Sequence, residues 1–124
     1  MSFCTIINCI DGRIQIPVIK FLQTRFQVLN VDNITEPGPN LLLSEQKNEL
    51  LIKSILKKVS FSIEKHASVG LAVVGHYDCS GNPATKKDQI IQLKKSIRFL
   101  KQHIKNIEII GLWVDNNWKV NEVV

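Results

Sequence analysis

The residues best suited to chemistry in this chain are two cysteines, a histidine, an aspartate and an arginine, gathered in two short segments. "CIDGR" runs from Cys9 to Arg13 and "GHYDC" from Gly75 to Cys79. Two thiolates and one imidazole form a sulfur and nitrogen donor set that suits zinc, which is bound tetrahedrally and in catalytic sites keeps one position for water or substrate. Cys9, His76 and Cys79 are therefore the candidate metal ligands. A single H-x-x-C is a weak signal, and it gains weight only if the fold brings a third donor to the same place. Asp11 and Arg13, on one tight segment containing Gly12, can form a carboxylate–guanidinium pair beside that donor.

The elements that must position these residues follow from periodicity. "FCTIINC" is short, apolar and β-branched, as a buried strand is. Pro17 suits the first turn of a short helix through "PVIKFLQTRF", and "FQVLNV" at 26–31 reads as a second strand. The prolines and glycine of "DNITEPGPN" predict a loop without regular structure. Ser44 is placed to cap a long helix over 45–65, with Ile52, Ile55, Leu56, Val59 and Ile63 as its buried stripe. "VGLAVVG" reads as a strand covered on both faces. In residues 86–105, Ile90, Leu93, Ile97, Leu100 and Ile104 mark one face of an amphipathic helix. "IEIIGLWV" is a fourth strand, and "DNN" turns the chain into a last one, "WKVNEVV".

Strands alternating with helices predict a single α/β domain over residues 1–124, three layers deep. Its mostly parallel sheet of four to five strands has the core order second, first, third, fourth, with helices on both faces. Ligands of such sheets bind beyond the carboxyl ends of the strands, where the order reverses. Cys9 ends the first strand and His76 and Cys79 follow the third, so the three converge although far apart in the chain.

The remaining candidates have plainer readings. His66 and His103 belong at the opposite end of the sheet, as surface histidines at helix C-termini. Cys4 faces away from Cys9 by strand parity and reads as a small core residue. A Cys4–Cys9 disulfide is excluded, because extended chain separates the two by about 16 Å and a disulfide needs Cα atoms within about 7 Å. A phosphate-cradling thiol loop would need an arginine six residues after its cysteine, where Gln15 and Thr85 stand.

The chain has 124 residues and a net charge of +5. Lys87, Lys94, Arg98, Lys101 and Lys105 lie opposite the apolar stripe of the basic helix, with no aromatics interleaved to stack on bases. A solvated outer face is favoured there over a nucleic-acid surface. No apolar run approaches the roughly 20 residues that span a bilayer. "MSFCTIINCIDGR" has no basic region ahead of its short apolar stretch, which argues against a secretory signal and for a cytoplasmic protein.

Taken together these residues resemble the β-carbonic anhydrases, whose zinc site is built from C-x-D-x-R and G-H-x-x-C; here these are Cys9 to Arg13 and Gly75 to Cys79. "IPVIKFLQTRFQVLNV" and "IEIIGLWVDNNWKV" are similar to further parts of the family core. The resemblance implies zinc held by Cys9, His76 and Cys79, hydration of carbon dioxide to bicarbonate, and a catalytic pair of Asp11 and Arg13. In that pair Asp11 orients water and Arg13 keeps it ionised, while loss of the arginine partner lets the aspartate ligate zinc. It also implies a homodimer. Three departures stand out: the chain begins at the first core strand without the family's N-terminal arm, Ser80 and then Gly81 follow the second cysteine, and "NVDNITEPGPN" replaces the segment after the second strand. Two other functions compete, a hydrolase of another small heterocumulene such as carbon disulfide, and a non-catalytic zinc module whose metal only joins two strand tips.

Overall fold

The computed structural model describes residues 1–124. Five strands, β1 (Phe3–Cys9), β2 (Asn30–Glu36), β3 (Gly70–His76), β4 (Glu108–Val114) and β5 (Val120–Glu122), form one sheet in the order β2-β1-β3-β4-β5. The first four run parallel, and β5 returns antiparallel to β4. This is the expected α/β architecture, closed at one edge by a short fifth strand.

Helix α1 (Gln15–Arg25) covers one face, while α2 (Pro39–Glu45), α3 (Glu49–His66) and α4 (Lys86–His103) cover the other. All seven residues of β3 are buried, which is why its sequence is a continuous apolar run and not an alternation. Two core clusters result. Ile6, Val18, Leu22, Ala72 and Leu112 pack under α1, and Ile7, Ile55, Val73, Leu93 and Leu100 pack under α3 and α4. Thr85 caps α4 by accepting from the N–H of Asp88, and Lys87, Lys94, Arg98, Lys101 and Lys105 are all exposed.

Several boundaries differ from those the sequence predicts. The second strand lies at Asn30–Glu36, not 26–31, and most of the predicted loop is ordered. β2 is an edge strand of mostly polar residues, two of which, Asp32 and Asn33, bond to α3 and α1, so it lacks an apolar run and owes its extension to pairing along the whole of β1. Pro39 does not break structure but opens α2, where its fixed φ suits the first turn. The long helix begins at Glu49 under an Asn48 cap, and Ser44 instead sits inside α2, its hydroxyl donating to the Leu41 carbonyl. α1 begins at Gln15, two residues before Pro17, and β5 is only three residues long.

Candidate metal centre

The site exists because two strands part. β1 pairs with β2 as far as Cys9 and Glu36, and β3 pairs with β4 as far as His76 and Val114. β1 and β3, by contrast, pair only as far as Ile7 and Val73. The gap beyond is the switch point, and Cys9 and His76 stand at its rims. Cys79 joins them on the turn after β3, where Asp78 takes a left-handed conformation (φ 55°) that aspartate tolerates better than most residues.

The three predicted donors are together. One donor atom each from Cys9, His76 and Cys79 lies within 4.8 Å of the others, and all three side chains are buried. The Cys9 and Cys79 sulfurs are 3.8 Å apart. Two sulfurs at about 2.3 Å from a tetrahedral zinc ion stand about 3.8 Å from each other, so the pair is already at the required spacing. The Tyr77 carbonyl, 2.7 Å from Nδ1 of His76, can only accept, so Nδ1 carries the proton and Nε2 presents a lone pair. That Nε2 is buried without any hydrogen-bond partner, an arrangement that a cation would satisfy. The donor set thus fits zinc on its own geometry.

Asp11 borders the donors, with Oδ2 4.0 Å from Nε2 of His76. Arg13 grips it from the side: Nη2 donates to Oδ2 at 2.6 Å, Nε to Oδ1 at 3.0 Å, and the backbone N–H of Arg13 to Oδ1 at 2.9 Å. The predicted pair is therefore formed. Sequence reasoning missed its neighbours. The Arg13 guanidinium also donates to the Asp78 carboxylate at 3.1 Å and to the Asp78 carbonyl at 3.0 Å, and lies 4.5 Å from the centre of the Trp118 ring. Nothing local in the sequence marks Trp118, whose φ of 58° belongs to the turn between β4 and β5.

Charge in the site follows from these contacts. The hydrogen bonds from Arg13 hold the Asp11 carboxyl down at a pKa of about 2. Between the two thiols, hydrogen bonding from Cys79 lowers the pKa of Cys9, and the proton it shares is held by Cys79, whose pKa is raised. Burial works against protonation of His76, but the Cys9 sulfur, the Tyr77 carbonyl and Asp11 outweigh it, and its pKa is raised.

Backbone close to the sulfurs is set by two glycines. Gly38 is left-handed (φ 58°), and a Cβ there would lie 2.6 Å from the Gly81 carbonyl oxygen; a Cβ on Gly81 would lie 2.7 Å from the backbone of Pro37. The close approach is thus made at Gly81, which lets Ser80 stand beside Cys79. On the other rim Gln15 donates to the carbonyls of Cys9 (2.7 Å) and Asp11 (2.9 Å) and accepts from Asn8 and Asn33. An open cleft of about 410 Å³, lined by Cys9, Ile10, Asp11, Pro37, Ser80 and Gly81, leads to the donors.

The other candidates lie elsewhere. His66 sits at the far end as expected, but it is not a plain surface residue: its Nδ1 is 2.6 Å from Asp32, its ring stacks on Phe3, and it lines a second cleft of about 420 Å³ between β2 and α3. His103 is exposed. Cys4 is fully buried among core residues and lies outside the donor group of Cys9, His76 and Cys79.

A family model described as "Putative carbonic anhydrase" matches residues 1–124. No curated protein matches. Among solved structures, a carbonic anhydrase from Glaciozyma antarctica aligns with a TM-score of 0.63 at 14% identity, covering 98% of this chain and 81% of that one. The apo form of a carbon disulfide hydrolase aligns at 0.64 with 11% identity, covering 97% and 77%. The β-carbonic anhydrase CafA of the fungal pathogen Aspergillus fumigatus aligns at 0.53 with 11% identity, covering 98% and 74%. At such identities the likeness is one of fold.

Proposed function

Because the chain belongs to the carbonic anhydrase-like family whose model spans residues 1–124, we propose that it is a zinc lyase converting carbon dioxide and water to bicarbonate and a proton. The observation that carries this is the joint presence of preset donors and an intact Asp11–Arg13 pair beside them. A metal that only joined two strand tips would have no use for a buried-edge carboxylate held ionised and aimed.

Cys9, His76 and Cys79 would hold the ion, and zinc bound there supplies a Lewis acid able to ionise water near neutral pH. Asp11 is unprotonated at any physiological pH, so it accepts a hydrogen bond from water and fixes the direction of its lone pair. With both oxygens of Asp11 bonded to Arg13, the carboxylate stays turned toward the arginine and does not join the donors. A carboxyl with a pKa near 2 does not retain the released proton, which therefore leaves through the open cleft to solvent. Ile10 and Pro37 give that cleft an apolar wall suited to a small uncharged substrate. A homodimer is part of the proposal, supported by the open edge of β2.

Metal analysis of purified protein with a stopped-flow hydration assay tests the reading. Stoichiometric zinc, with hydration lost comparably in Asp11→Ala and Cys9→Ser, is the expected result. Bound zinc with no hydration above the Asp11→Ala control would favour the structural module. The same preparations assayed on carbon disulfide separate the two heterocumulene substrates.

A further inference from the structure

Where β1 parts from β3, the backbone of His76 is served by a side chain and not by a strand. Gln89, in the first turns of α4 and 1% exposed, accepts from the His76 N–H at Oε1 (3.3 Å) and donates from Nε2 to the His76 carbonyl (3.1 Å). The same Nε2 lies 3.2 Å from the Ala84 carbonyl and 3.4 Å from that of Asn82, so the amide also holds the loop between Cys79 and α4. Its Oε1 takes a second bond from Asn40 of α2 at 3.1 Å, and Asn40 is itself 1% exposed. Among uncharged side chains only a primary amide offers an acceptor and two N–H donors in one plane, which suits a site that presents the N–H groups of His76 and Asn40 and the carbonyls of His76, Asn82 and Ala84. Gly75 keeps the approach open: a Cβ there would lie 2.8 Å from Gln89 Oε1 and 2.9 Å from Asn40 Nδ2. That steric demand gives the glycine before His76 a physical reason.

We propose that Gln89 is a positioning residue for the metal centre. By clamping both backbone groups of His76 and the loop behind Cys79, its amide presets the donor spacing and removes an ordering cost from metal binding. The inference rests on reading Cys9, His76 and Cys79 as ligands. A merely structural role, satisfying buried backbone groups, would change the unfolding midpoint but not the zinc affinity of protein that remains folded.

The test uses the whole chain with Gln89→Glu, Gln89→Met and Gln89→Asn. The first keeps length but offers no N–H to the three carbonyls, the second keeps length without polarity, and the third keeps the amide one methylene short. Zinc affinity is measured by competition with a chromophoric chelator below each unfolding midpoint. The visible spectrum of cobalt(II)-loaded protein and hydrogen exchange of the His76 amide in metal-free protein accompany it. Expected are affinities lower by about 10- to 100-fold, a changed cobalt spectrum and faster exchange at His76. Folded variants with affinity within about twofold of the parent and an unchanged cobalt spectrum would overturn the inference. Parent protein that takes up no zinc would overturn the ligand reading and this inference with it, whereas zinc-binding parent with unaltered variants overturns this inference alone.

Discussion

Oδ2 of Asp11 stands 4.0 Å from Nε2 of His76, while its arginine holds it at 2.6 Å from the other side. The carboxylate thus borders the donor set without entering it, and its charge state is governed by Arg13.

That arrangement has a signed pH dependence. The Asp11 pKa falls from 3.8 to about 2 on folding, so the folded state favours the carboxylate. Its stabilising contribution is complete above about pH 4 and is lost as pH falls through about 2. Urea midpoints of metal-free wild type and Asp11→Asn should differ at about pH 4 and approach one another as the pH falls to about 2. A gap that persists at the acid end would contradict the pairing.

Arg13 has two further partners of different kinds. The Asp78 carboxylate is 68% exposed, so Asp78→Asn should change stability by less than about 1 kcal/mol, and high salt should erase the effect. Trp118→Leu removes the ring 4.5 Å from the guanidinium and should cost about 0.5–1 kcal/mol, with weaker salt dependence because apolar contact is lost as well. Denaturant unfolding at low and high salt distinguishes them.

Two glycines should behave oppositely. Gly38→Ala combines a left-handed backbone with a Cβ 2.6 Å from the Gly81 oxygen, and should cost about 2 kcal/mol or more. Because the displaced segment abuts Cys9 and Cys79, zinc affinity should fall as well. Gly12→Ala meets nothing within 4 Å and should stay within about 0.5 kcal/mol. Thermal unfolding of the metal-free variants, followed by zinc titration, checks both.

Chelation should lower apparent stability by mass action, by about 2.7 kcal/mol relative to protein held at a hundredfold excess of zinc over its dissociation constant. The difference should vanish in Cys79→Ser, which removes a donor, and persist in Cys4→Ser, whose buried thiol is not one of the three donors. Melting scans with and without zinc give the comparison directly.

Much of this molecule is legible in its residue order because the signals are local. The apolar spacing of α4, the continuous run of β3 and the alternation of strands with helices follow from periodicities of 3.6 and 2, and they suffice to put Cys9 and His76 at neighbouring strand tips. β2 and α2 are the elements that local signals do not show. The polar residues of β2, Asn30 to Glu36, are held extended by pairing with β1, a non-local cause, and the prolines that signal a loop instead flank the entry to α2.

The same division runs through the site. The sequence by itself determined the donor types, the capacity of Asp11 and Arg13 to pair on one tight segment, and the end of the sheet on which they gather. Only the tertiary structure decided that β1 and β3 part after Ile7 and Val73, opening room between the tips. It alone set Asp78 and Trp118 on Arg13, and Gln89 on the backbone of His76. Polar contacts of this kind join residues brought together by turns and packing, and hydrogen-bonding groups carry no periodic signature that would announce a partner in advance.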